Sequence, residues 1–151
     1  MNVIEEALTI SKSDYKNKQF TINKENKSKT INAKTAFYIN ENGIGISKEF
    51  DRNENNKYWA SLSSNLSEKQ IDSMLGDYKS RTKQIDAIID NVVENDINGI
   101  VIDVRGSQEN IMRFVIELAP KLREFGITTG VVLNKNMEKN NYINIVDYIV
   151  E

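Results

Sequence analysis

The stretch Asn98-Gly99-Ile100-Val101-Ile102-Asp103-Val104-Arg105-Gly106 constrains this chain more than any other. Ile100, Val101, Ile102 and Val104 are bulky, β-branched and apolar. A block of that kind suits a parallel strand covered on both faces rather than a strand with one wet face. Asp103 and Arg105, a carboxylate and a guanidinium, stand at its C-terminal end. In open parallel sheets and β/α barrels the ligand site lies at the C-terminal ends of the strands, where loops vary without disturbing the core. Asp103 and Arg105 are therefore the first polar side chains a ligand would meet. Spacing alone leaves a plainer alternative open, in which they pair with each other or with neighbours and merely close the strand.

From residue 57 onward the pattern alternates strands and helices around that stretch. Residues 58–63 read as a strand. Ser67-Glu68-Lys69-Gln70 is a capping box, with Leu66 and Ile71 as its hydrophobic staple, and Ile71, Met74, Leu75 and Tyr78 fall on one helical face. Ile85, Ile88, Ile89, Val92 and Val93 predict a longer helix, with Asp86, Asp90, Asn91 and Glu94 opposite, that leads through Asn98-Gly99 into the central strand. Ser107 can cap a third helix with Ile111, Val115, Leu118, Leu122 and Phe125 on its apolar side. Pro120 should kink or reset it, and Gly126 suits the residue just past its end. Residues 128–133 and 145–150 supply two further strands, separated by a polar stretch over 134–141 with room for a short helix. This order implies right-handed parallel crossovers and a partial β/α barrel-like sheet.

Residues 1–56 have a different character. Val3, Ile4, Ala7 and Leu8 have a weak helical spacing, whereas residues 19–22, 29–31 and 36–39 read as short strands. Asn42-Gly43, between two apolar runs, signals a tight hairpin. Residues 51–57 are polar throughout and form the expected linker. The chain thus divides into a small antiparallel β-rich region, 1–56, and a β/α domain, 57–151.

Composition removes several kinds of chemistry. With no Cys and no His among 151 residues, thiol nucleophiles, Ser-His-Asp and Cys-His catalysis, and most zinc and two-His iron sites are excluded, and no metal or cofactor is expected. No apolar run is long enough to span a bilayer, and Glu5 and Glu6 occupy the place of a signal's basic region, so no membrane association is expected. The net charge of −2 is uneven: residues 12–34 hold seven lysines against Asp14 and Glu25, or +5. Such a segment could meet an anionic polymer or be the solvated face of a polar hairpin. The absence of Arg there, and Tyr15 as the single interleaved Tyr, argue against nucleic acid.

Residues 58–151 resemble part of a glycoside hydrolase family 18 barrel, the family of chitinases and of spore and cell-wall N-acetylglucosaminidases. The residues that carry the resemblance are Arg81 ahead of the apolar helical face, Asn98 to Arg105 lying on the family's D-G-x-D-x-D-x-E signature, residues 118–126, and Val146-Asp147-Tyr148-Ile149. The resemblance implies that Asp103 keeps the place of the Asp that orients the substrate's N-acetyl group, while Arg105 stands where the family has its general-acid Glu. A guanidinium is no proton donor to a glycosidic oxygen. Asn98 and Val101 replace the first two Asp positions. Glu109 lies about one turn into the following helix, too far on to take over the acid's role.

The resemblance therefore implies a non-catalytic family 18-like domain, with no catalytic residues, that binds N-acetylhexosamine polymers such as peptidoglycan or chitin. Asp103 and Arg105 would offer hydrogen bonds, and Trp59 and Tyr58 stacking faces, although a Trp at a strand start is more often core. The alternatives are a structural or assembly module without a ligand, a fragment of an active hydrolase, and a phosphoacceptor domain with Asp103 as acceptor and Lys135 as partner. The last lacks an acidic pair, because the earlier strand ends in Ser61-Leu62-Ser63-Ser64. The family points to the cell surface or spore. Half a barrel also leaves two sheet edges to be covered by the amino-terminal strands, by a second copy, or by further sequence.

Overall fold

A computed structural model describes residues 6–24, 27–41, 43–46, 58–135 and 137–151. The strands are β1 (Leu8–Ile10), β2 (Gln19–Lys24), β3 (Lys27–Asn40), β4 (Gly43–Ile46), β5 (Tyr58–Ser64), β6 (Ile97–Ile102), β7 (Thr128–Val132) and β8 (Tyr148–Val150). Helices α1 (Glu68–Gly76) and α2 (Tyr78–Glu94) join β5 to β6, and α3 (Gln108–Glu124) joins β6 to β7. The eight strands form one sheet, in the order β1-β8-β7-β6-β5-β3-β2, with β4 also paired to β3. Every neighbouring pair from β1 to β3 along that order is parallel, whereas β2 and β4 run antiparallel to β3. This is the expected barrel-like parallel sheet with antiparallel hairpins before it.

The amino-terminal strands are part of that sheet. β1 pairs with β8, and β3 runs beside β5 from Ala33↔Trp59 to Ile39↔Ser64. They cover the two edges that β5 to β8 would otherwise expose. The runs 29–31 and 36–39, expected as separate strands, belong to the single strand β3, which changes partner at Ala33 from β2 to β5. Its polar middle therefore never leaves the ladder. Leu8 lies in β1 rather than in a helix, while Val3, Ile4 and the linker 51–57 fall outside the described residues. The β3–β4 hairpin is present in the register Asn40↔Gly43; Gly43 has φ +130°, and Asn42 lies outside the described residues.

Local chemistry explains where the helices begin and end. The Ser67–Gln70 capping box opens α1 as expected. Asp77 then accepts the Ser80 N–H and starts a new helix, so Tyr78 is not on the α1 face with Ile71 and Leu75 but stands 67% exposed at the head of α2. α2 closes on Asp96, at φ 51°, and the strand follows at once. The turn before β6 is thus Asn95-Asp96, and Asn98 and Gly99 are strand residues. Gly126, at φ 74°, closes α3 in a Schellman motif, with Gly126 N–H donating to Arg123 and Ile127 N–H to Leu122. α3 runs through Pro120 to Glu124. The bond that Pro120 cannot donate would go to Ile116, and both residues are exposed, on the side of the helix away from the core. Phe125, expected on the buried face, caps the helix and is exposed.

Two apolar layers sandwich the sheet. On the outer face, Ala60, Leu62, Ile100, Ile102, Val131 and Ile149 pack against the buried faces of α1, α2 and α3. On the inner face, Ala33, Trp59, Val101, Val132 and Val150 pack against Ile10, Tyr15, Phe20, Ile22 and Ile31 from the amino-terminal quarter of the chain. Both faces of β6 are therefore dry, as its β-branched block requires.

Candidate functional site at the end of β6

Asp103 follows the last residue of β6 and is fixed there by its own N–H, which donates to the Leu62 carbonyl at 2.8 Å. Alternation puts Gly99, Val101 and Asp103 on the inner face and Ile100, Ile102 and Val104 among the helices. The Asp103 carboxylate does not meet Arg105. Lys18 Nζ donates to Asp103 Oδ2 at 2.6 Å, and the two side chains are 32% and 20% exposed. Lys18 arrives from the connection between β1 and β2 with φ 59°, its carbonyl accepting the Ala33 N–H at 2.6 Å and its ammonium 5.3 Å from the centre of the Tyr15 ring.

A second polar contact lies deeper. The Tyr15 hydroxyl is 3.3 Å from Ser61 Oγ, and Ser61 Oγ donates to the Val101 carbonyl at 3.4 Å. Burial raises the Tyr15 hydroxyl pKa to about 12; the Ser61 contact works against that rise and the negative charge of Asp103 adds to it. Tyr15 is thus held neutral as a hydrogen-bonding core residue rather than as a base. Neither Lys18 nor Tyr15 was marked as a site residue by sequence. Lys18 is one of seven lysines in a polar run, and only its tertiary contact distinguishes it from the rest.

Trp59 is 7% exposed and belongs to the inner layer. Its ring lies directly over Gly99, edge-on to Phe20 at 5.7 Å between centroids and to Tyr148 at 5.2 Å. Gly99 of β6 lies beneath the Trp59 ring, and Gly130 of β7 packs against Val101 and the Cβ of Tyr148, so that Trp59 of β5 and Tyr148 of β8 meet across β6 and β7. The backbone of Tyr58 pairs with Ile97, and its side chain lies outside the described structure. Arg105 is exposed, and among the described residues it has no ion-pair partner.

The loop that carries Arg105 is held from below. Asp72 of α1 accepts the Ser107 N–H at 2.6 Å and the Asn110 side-chain amide at 3.1 Å. Burial pushes the Asp72 carboxyl up, but these hydrogen bonds outweigh it and leave its pKa lowered. Glu109 is engaged by Arg113 at 2.6 Å. Arg81 does not approach the strand end: it is buried, donates to Glu117 at 2.6 Å and to the Leu75 carbonyl at 2.8 Å, and ties α2 to α3 and to the end of α1. Asp147 accepts the Thr129 N–H at 2.9 Å and locks β8 to β7. Lys135 is exposed. Among the described residues no group of three or more Asp or Glu side chains could hold a metal, and no helix is long and apolar enough to cross a membrane.

These features define a partial β/α barrel whose inner face is filled by its own amino-terminal segment. Among solved structures it is similar to ydhD from Bacillus subtilis, described as a sporulation-specific glycosylase, with a TM-score of 0.58 and 17% sequence identity over 82% of this chain and 49% of that one. At this identity the likeness is one of fold, a distant glycosylase-like barrel, and the chain spans about half the length of that neighbour. No protein-family model and no curated protein matches the sequence.

Proposed function

We propose that this chain is a non-catalytic module of glycosylase-like fold. The observation that carries the proposal is the occupied strand end, where Asp103 is paired to Lys18 at 2.6 Å and the inner face beside it is packed with Tyr15, Phe20 and Trp59. Arg105, at the position that the family 18 resemblance assigns to the acid, carries a group that cannot protonate a leaving oxygen. The nearby carboxylates of Asp72 and Glu109 are each engaged in other bonds.

The finer reading is recognition of an N-acetylhexosamine polymer, peptidoglycan or chitin, at this end of the sheet. Arg105, exposed and without an ion-pair partner among the described residues, would be its hydrogen-bond donor, and Asp103 would accept once Lys18 gives way. Trp59 is too deep for a stacking role, which leaves few apolar surfaces for a sugar ring. The same Lys18–Asp103 pair favours a second reading, a scaffold or assembly module that keeps the fold and has no glycan.

Binding and turnover of soluble N-acetylglucosamine oligomers separate these readings. Saturable binding by the wild-type chain, weakened by Asp103→Ala and without turnover, supports the lectin-like reading. No binding by wild type, Asp103→Ala or Arg105→Glu removes the sugar and leaves the scaffold. Turnover by the wild-type chain overturns the non-catalytic proposal itself.

A further inference from the structure

The lysine-rich segment leaves a surface that the strand-end site does not use. In the β2–β3 hairpin the register pairs Gln19 with Asn32, Thr21 with Thr30 and Asn23 with Ser28. Cross-strand partners project from the same face, and Phe20 and Ile31 of the intervening pair point into the inner layer. The opposite face is therefore a ladder of six exposed, uncharged amide and hydroxyl side chains. It is already partly cross-linked, Thr21 Oγ1 lying 3.4 Å from Thr30 Oγ1 and Ser28 donating to Asn23. Beside this ladder, residues 13–17 of the β1–β2 connection wall off a groove of about 640 Å³, within the usual size of ligand sites.

We propose that this groove binds an acidic, hydroxyl-rich polysaccharide. Amide and hydroxyl groups both donate and accept, which matches ring hydroxyls, and the lining adds the charged side chains of Lys16 and Asp14. Exposed Lys34 continues the ladder face two residues beyond Asn32, and exposed Lys12 stands in the same connection as Lys16. Residues 12–34 hold +5 in a chain of net −2, leaving −7 for the rest, so an anionic polymer is steered to this end and repelled elsewhere. Nucleic acid fits less well. The segment has no Arg, and its rings are almost fully buried: Tyr15 lies in the inner layer, and Phe20, although it edges the groove, is 2% exposed and offers no face for a base to stack on. Neither Asp103, Lys18 nor Arg105 lines the groove, which shares only Phe20 with the packing beside Asp103 and does not depend on that site's binding a glycan.

Calorimetric titration of the full chain with polygalacturonate oligomers, which contain no N-acetylhexosamine, tests the proposal. Saturable binding is expected, about ten-fold weaker for Lys16→Glu and nearly unchanged for Lys83→Glu, an equal charge change on the remote, exposed face of α2. Affinity should fall as salt rises from about 50 mM to about 300 mM. Absence of saturable binding overturns the proposal. So does equal weakening by Lys83→Glu, which would reduce the effect to net charge, or tighter binding of oligothymidylate than of polygalacturonate with the same Lys16 dependence.

Discussion

A methyl group at position 99 would be driven into the Trp59 ring, whereas at position 130 it would meet Tyr148 and Val101 at 3.5 Å, an ordinary contact. Gly99→Ala should therefore cost about 1–3 kcal/mol, as overpacked cores do. Trp59→Leu should recover part of that loss when combined with it. Gly130→Ala should stay within about 1 kcal/mol of wild type by the same comparison. Urea unfolding of the single and double variants checks all of these. Tyr15 and Tyr142, with hydroxyl pKa values raised to about 12 by burial, make a separate statement about pH. A raised folded value means that their neutral forms stabilise the fold below the unfolded pKa of about 10. That contribution is lost as pH climbs from about 10 through about 12, and base titration followed by circular dichroism should show unfolding in that window. Among the described residues the buried Tyr142 hydroxyl has no hydrogen-bond partner, so Tyr142→Phe should be neutral or stabilising and should shift the alkaline transition upward.

The helices are held by a few buried polar bonds as much as by apolar packing. Arg81 is the buried cation between α2 and α3, and Arg81→Ala would leave Glu117 and the Leu75 carbonyl without their donor. A loss of about 3 kcal/mol is expected in thermal or urea unfolding, with Arg81→Leu less costly because it refills the volume. Asp72 secures the start of α3. Its folded pKa is lowered, so its contribution is present above the ordinary carboxylate value and is lost as pH falls through the folded one. Asp72→Asn should reduce the acid sensitivity of unfolding, whereas a profile identical to wild type would deny Asp72 that role. Signals contained within one element were legible in the sequence: the Ser67 box, the Ser107 cap and the Gly126 closure stand where spacing puts them, as do Ile85, Ile88, Ile89 and Val92 of the expected α2 face, whereas Val93, expected with them, is exposed. Signals that depend on a distant partner were not. Asn98-Gly99 reads as the lead into the central strand, but nothing in the local sequence says that Gly99 leaves room for the Trp59 ring of the neighbouring strand. Tyr78 reads as part of α1 because helical spacing does not register the Asp77 cap.

At the scale of the whole molecule, the amino-terminal segment completes the sheet and fills its inner face. It covers the β8 edge with β1, the β5 edge with β3, and the inner face with Tyr15, Phe20 and Ile22. The parallel order of β5 to β8 could be read from the sequence, because alternating strands and helices leave few connections. The plug could not, because its apolar residues are dispersed among lysines and acquire their partners only when the sheet curls. Aromatic contacts show the curl directly: Phe20 of β2 lies 6.2 Å from Tyr148 of β8, although these strands stand near opposite ends of the sheet order. Asp103 was correctly placed at a strand end, but its partner, Lys18, lies 85 residues earlier in the chain. The account therefore rests on the inner face being closed, and Trp59, the single tryptophan, reports on that face directly. The most direct measurement is acrylamide quenching of its fluorescence in the full chain, native and in urea. A filled inner face predicts blue-shifted emission and weak quenching that strengthens only on unfolding; native quenching as strong as that of the unfolded chain would show the face to be open and contradict the account.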